Sequence, residues 1–139
     1  MSARQNTQEL MRAFAHRDIS IGFDEANTLR RAQITLHRWA ELECGDGNDY
    51  ASWAIERDDT TGIPYMRRYP HDGQMRQHRI PDREAGALRR VAEICKRLEL
   101  HYYHQGDPRG CALYVSNEPI GHNSAGNISY TTGIACCVD

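Results

Sequence analysis

Nothing in the chain approaches 18 consecutive apolar residues, and that absence excludes a transmembrane helix. The polar start, Met1-Ser2-Ala3-Arg4-Gln5-Asn6, has no apolar stretch behind it to serve as a secretory signal. A cytoplasmic protein with no membrane association is therefore expected. The sequence also lacks Gly-rich phosphate loops, a Gly-x-Ser-x-Gly elbow, a Cys-x-x-Cys pair and a His-Glu-x-x-His helix. Those absences remove the commonest nucleotide, hydrolase and zinc chemistries. Lysine is nearly missing, since Lys96 is the only lysine among 17 basic residues. The cations are thus guanidinium groups, which suit carboxylate or phosphate recognition, although a GC-rich genome yields the same bias. Five cysteines, Cys44, Cys95, Cys111, Cys136 and Cys137, form an odd set in a chain without an export signal. Reduced, mostly buried thiols are expected rather than disulfides.

What is there is the composition of a folded domain: 139 residues, 40% hydrophobic and 26% charged. With no repeat, low-complexity tract or long linker, one domain covering 1–139 is expected. The net charge of −2 conceals an asymmetry. Residues 65–97 carry nine Arg or Lys against four acids, a charge of +5, which leaves −7 on the rest.

Hydrophobic spacing predicts helices over 5–17, 24–43 and 80–98. The second has Asp24 as its cap, Phe23 as a hydrophobic staple, and a stripe of Ala26, Leu29, Ala32, Leu36, Trp39 and Ala40. The third opens on Pro81 with acids in its first turn and buries Ala85, Leu88, Val91, Ala92, Cys95 and Leu98. Alternating runs at 52–57 and 63–69 read as a hairpin with one buried face, and Pro64 marks an edge strand or the start of pairing. Residues 70–80 read as a polar loop. A second hairpin, 100–105 and 111–116, turns at Pro108. Residues 117–133 are loop-like, and 134–138 add a last short strand. The order α-α-β-β-α-β-β-(β) implies an α+β fold, with helices packed on one face of a mainly antiparallel sheet.

Two surfaces stand out as candidate binding sites. Arg83, Arg90 and Arg97 recur every seven residues, which aligns them along one side of the third helix. The side faces solvent, and it is either a plain solvated face or an anion-binding ridge. In the second hairpin, pairing symmetric about Pro108 sets Tyr102 opposite Tyr114 and His104 opposite Ala112. Tyr102, His104 and Tyr114 then form an outer patch beside Arg109, suited to stacking on bases or anchoring a protein interface. A slip of one residue exchanges the faces of one strand and dissolves that patch. No metal or cofactor site is expected: His101 and His104 lie on opposite faces of a strand, and the Asp46-Gly47-Asn48-Asp49 turn breaks the calcium-loop alternation at Tyr50. Cys111 and His104 sketch a thiol–imidazole pair, but no third orienting group accompanies them.

Three stretches carry a resemblance. They are Leu36-His37-Arg38-Trp39-Ala40-Glu41-Leu42-Glu43-Cys44-Gly45, then Ile80-Pro81-Asp82-Arg83-Glu84-Ala85-Gly86-Ala87-Leu88-Arg89-Arg90, and Asp107-Pro108-Arg109-Gly110-Cys111-Ala112-Leu113-Tyr114-Val115. Over roughly 24–137 the chain resembles a family of short, uncharacterised proteins encoded by phages and prophages of proteobacteria. The resemblance implies a phage accessory protein in the infected or lysogenic cell, neither a virion component nor a core replication enzyme. The leading expectation is a non-enzymatic protein that binds a host macromolecule, foremost a host protein, as an anti-defence inhibitor would. The alternative is nucleic-acid binding through the Arg ridge and the aromatic hairpin face. A thiol- or metal-dependent hydrolase is the third reading.

Overall fold

Ser2 starts the first helix two residues earlier than its apolar stripe signals. Its hydroxyl accepts from the Gln5 N–H at 3.2 Å, and the Gln5 side chain accepts from the Ser2 N–H at 2.9 Å, a reciprocal capping box. The computed structural model describes residues 2–44, 50–57, 60–61, 63–70, 76–107, 110–122, 128–131 and 136–138. Helix α1 is Ala3–Ala15 and α2 is Phe23–Cys44, followed by strands β1 (Tyr50–Arg57), β2 (Pro64–Pro70) and β3 (Arg76–Arg79). Helix α3 is Asp82–Arg97, and β4 (His101–Asp107), β5 (Gly110–Ser116), β6 (Ile120–His122), β7 (Ile128–Thr131) and β8 (Cys136–Val138) complete the chain. The expected α+β fold and element order hold, with three strands added where a loop was expected.

Strands β3-β2-β1-β4-β5-β8 form one antiparallel sheet, and β6-β7 form a separate ribbon that lies near β4. Helices α2 and α3 pack on each other, α1 packs on α2, and the layer meets the sheet through α2 on β5 and β8 and α3 on β4. The α2 stripe is buried as its spacing predicts, apart from the half-buried Trp39. In α3 the buried residues are Ala87, Leu88, Val91, Ile94 and Cys95, while Ala85 and Leu98 reach the core's margin. Phe23 does not act as a staple. It is 39% exposed, in a groove that it lines with Met11 of α1 and Asn27.

Helix α1 is held to α2 by a polar contact as well as by Leu10 and Phe14. Thr7 is fully buried; its Oγ1 lies 2.9 Å from the Ala3 carbonyl and 3.1 Å from Asn27 Oδ1. Arg30 donates from Nε to Thr7 Oγ1 at 3.2 Å and from Nη2 to Asn27 Oδ1 at 3.1 Å. One hydroxyl proton serves only one of the two acceptors at a time, and the arginine supplies the remaining donors.

The structure decides two readings of the first hairpin, and two stretches expected to be loops are corrected to strands. In the first hairpin the sheet's helix-facing row is Trp53, Ile55 and Met66, paired Ile55↔Met66 and Trp53↔Arg68, while Ile63 is 58% exposed. Pro64 opens β2, which is an inner strand, so the proline marks where pairing begins and not an edge. The edge on that side is β3, within the stretch expected to be a polar loop. Its residues Arg76-Gln77-His78-Arg79 offer no hydrophobic alternation, and charges of this kind are what edge strands carry. Two short segments of 117–133, β6 and β7, likewise pair although their sequence gives little periodic signal.

Candidate interaction surface

In α3, 16 residues at 3.6 per turn give the helix one buried and one wet side. Arg83, Arg90 and Arg97 all lie on the wet side, as do Arg89 and Lys96. From Arg83 to Arg97 the ridge is about 21 Å long at 1.5 Å per residue. The nearby carboxylate of Glu93 makes no ion pair among the described residues. Arg97 reaches instead to the first turn of α2, where its Nη2 lies 2.9 Å from Glu25 Oε2. With 64% of the Arg97 side chain exposed, that pair contributes at most about 1 kcal/mol. Arg83, Arg89, Arg90 and Lys96 have no anionic partner among the described residues.

The basic segment is also gathered in space. Within residues 65–97, β2 pairs with the edge strand β3, and α3 follows β3 directly across Ile80 and Pro81. Gln77 and Arg79 on β3 are exposed, and Arg79 stands four residues before Arg83. On the sheet face turned away from the helices, Arg67 is already engaged: its Nη1 lies 3.1 Å from Glu56 Oε2, which also accepts from the Tyr65 hydroxyl at 3.2 Å.

The second hairpin departs from its expected register. Asp107 pairs with Gly110, which leaves two residues between them, and the ladder runs Tyr102↔Val115, Tyr103↔Tyr114, His104↔Leu113. The pairing is thus one residue off the symmetric arrangement about Pro108, and β4 shows its other face. Neither face of β4 is clearly the more apolar, so the hydrophobic pattern of β4 does not by itself fix the register. Tyr102 consequently lies half-buried against the core and His104 is fully buried, while Tyr114 is half-buried on the opposite face. Tyr103, its partner there, is only 6% exposed. The expected outer patch of Tyr102, His104 and Tyr114 does not form, and Arg109 lies outside the described residues. So does the Asp46–Asp49 turn, and so do the side chains of every cysteine except Cys95.

His104 sits instead in the interlayer core. Its ring meets that of Trp53 edge-on, with centroids 5.2 Å apart and planes at 83°. Both ring nitrogens are buried without a hydrogen-bond partner. Burial, with a smaller contribution from His37 of α2, pushes its pKa from 6.5 down to about 3. Burial pushes the free thiol of Cys95 up to about 12, so it is protonated and unreactive at neutral pH. Among the described residues no group of three or more His, Cys, Asp or Glu is placed to hold a metal ion, and no helix is long and apolar enough to cross a membrane.

The sequence places Arg83, Arg90 and Arg97 on one side of α3 with Arg79 upstream, but does not single out Arg89 and Lys96 beside them or Tyr103 as the outer-face aromatic. The seven-residue spacing points only to exact heptad mates, and the tyrosine depended on a register that one residue decides. No protein-family model, curated protein or solved structure matches this chain.

Proposed function

We propose that this protein is a phage-encoded accessory protein that works without catalysis, by binding a host protein with an acidic surface through the arginine ridge of α3. The observation that carries this reading is the exposure of Arg83 and Arg90 in line with Arg97, with neither in an ion pair among the described residues. The Arg97–Glu25 contact illustrates the recognition: a guanidinium reaching across to a carboxylate on another helix. A partner carrying carboxylates at the same spacing would repeat that contact at Arg83 and Arg90. Arginine suits this use, because its planar fork binds carboxylates in fixed geometry and is weakly hydrated.

Two features favour a protein over a nucleic acid as the partner. The net charge is −2, so the polyanion attraction of a basic protein is lacking outside the ridge. Tyr103, the central aromatic of the outer sheet face, is buried and offers no open stacking platform. The test is a pull-down from a proteobacterial host lysate with the full chain and with its Arg83→Glu, Arg90→Glu, Arg97→Glu variant, alongside heparin chromatography. The reading expects a salt-sensitive protein partner recovered by the parent chain and lost with the variant. Strong heparin retention lost in the same variant, with no protein partner, would transfer the ridge to nucleic acid.

A further inference from the structure

We propose that His104 is an acid-sensitive latch between the helical layer and the sheet, whose protonation drives the helices away from β4 and β5. The inference is independent of the binding reading above and rests on the surroundings of one ring. His104 is fully buried, its cross-strand partners are Ile55 and Leu113, and the edge of its contact is Trp53. A neutral imidazole carries one donor and one acceptor, and here neither nitrogen finds a partner. An imidazolium would carry two donors and a full charge into the same space, which a closed core cannot accommodate.

The groups around the ring offer no relief. From α2 comes His37, which disfavours a second charge beside it. From α3 the buried titratable group is the Cys95 thiol, held neutral. Strand β1 contributes Trp53 and Ile55, and β5 contributes Leu113 and Val115, all uncharged. Farther along the same sheet face stand Arg68, in register with Trp53, and His78, in register with Met66. Both are basic side chains, and among the described residues no carboxylate stands on that face of the paired strands. A proton can therefore enter only as the layers part, which brings water to the ring and exposes the apolar faces of α2 and β5. In a neutral medium the latch is closed.

The test follows acid opening of the full chain by Trp53 fluorescence in a Trp39→Phe background, with binding of an apolar dye as a second signal. The parent should open in one cooperative step as pH falls, and His104→Leu should open at a midpoint lower by about one pH unit or more. Coincident midpoints would overturn the proposal. Should His104→Leu not fold, NMR of the His104 ring in the parent chain decides. The ring should stay neutral well below the ordinary histidine value of about 6.5 and change only together with the global opening. Titration near that value with the fold intact would overturn the latch.

Discussion

Truncating Leu88 to alanine probes whether the fold hangs on the phase of α3. Leu88 is 1% exposed and belongs to the cluster that joins α2, α3 and the sheet. Alanine removes most of the side chain, and the cavity left behind is walled by helices and strand pairs that cannot all collapse inward. Leu→Ala changes in such sites cost about 2–5 kcal/mol, so about 3 is expected here. At about 2.1 cal/mol/K per residue, a chain of 139 residues has an unfolding entropy near 0.3 kcal/mol/K, and the melting temperature should fall by about 10 °C. Arg90, two residues on, is exposed, and Arg90→Ala should cost under about 0.5 kcal/mol and shift melting by about 2 °C at most. Thermal melts followed by circular dichroism, with urea titrations to confirm an unchanged m-value, measure both. Equal losses at the two positions would refute the assignment of α3's buried face.

The pH dependence of stability has a definite sign. With His104 at about 3 in the native state and 6.5 when unfolded, the unfolded chain binds the extra proton between those values. The stabilisation is intact above about pH 6.5 and lost as pH falls toward 3, by up to about 1.4 kcal/mol per unit. Urea unfolding between pH 7 and 5 should show this slope in the parent and not in His104→Leu; parallel slopes would contradict it. Thr7→Val keeps the shape but removes the hydroxyl between Ala3, Asn27 and Arg30, and should cost about 1–2 kcal/mol and loosen α1 first, read by hydrogen exchange. Cys95 should resist alkylation in the native chain at pH 8 and react on unfolding, since burial holds its thiol protonated; rapid native labelling of Cys95 would show that α3 opens.

Much of the architecture was legible because helices with strong apolar stripes announce themselves. The stripe from Ala26 to Ala40 and the Leu88–Cys95 stripe fixed two helices and their buried sides, and the basic ridge followed from the same phase. The failures share a cause. Strand β3 reads Arg-Gln-His-Arg and pairs through its backbone, so no side-chain pattern betrays it. The second hairpin alternates Tyr102 and His104 against Tyr103 and Gln105, two faces of similar polarity, so the side-chain pattern of β4 does not say which is buried. His104 was accordingly expected on the surface and lies in the core. Its unpaired burial is a property of tertiary packing that local spacing does not encode.

The central claim is that the α3 ridge is the binding surface, and the affinity of the purified partner for two forms of the chain tests it most directly. Isothermal titration should be run at fixed ionic strength with the parent and with the Arg83→Glu, Arg90→Glu, Arg97→Glu variant, after circular dichroism shows both folded. Three cations turned to anions against an acidic surface should weaken binding by at least about 100-fold, and added salt should weaken the parent's binding in the same direction. An unchanged Kd in the folded variant would contradict the account and remove the ridge from the binding surface.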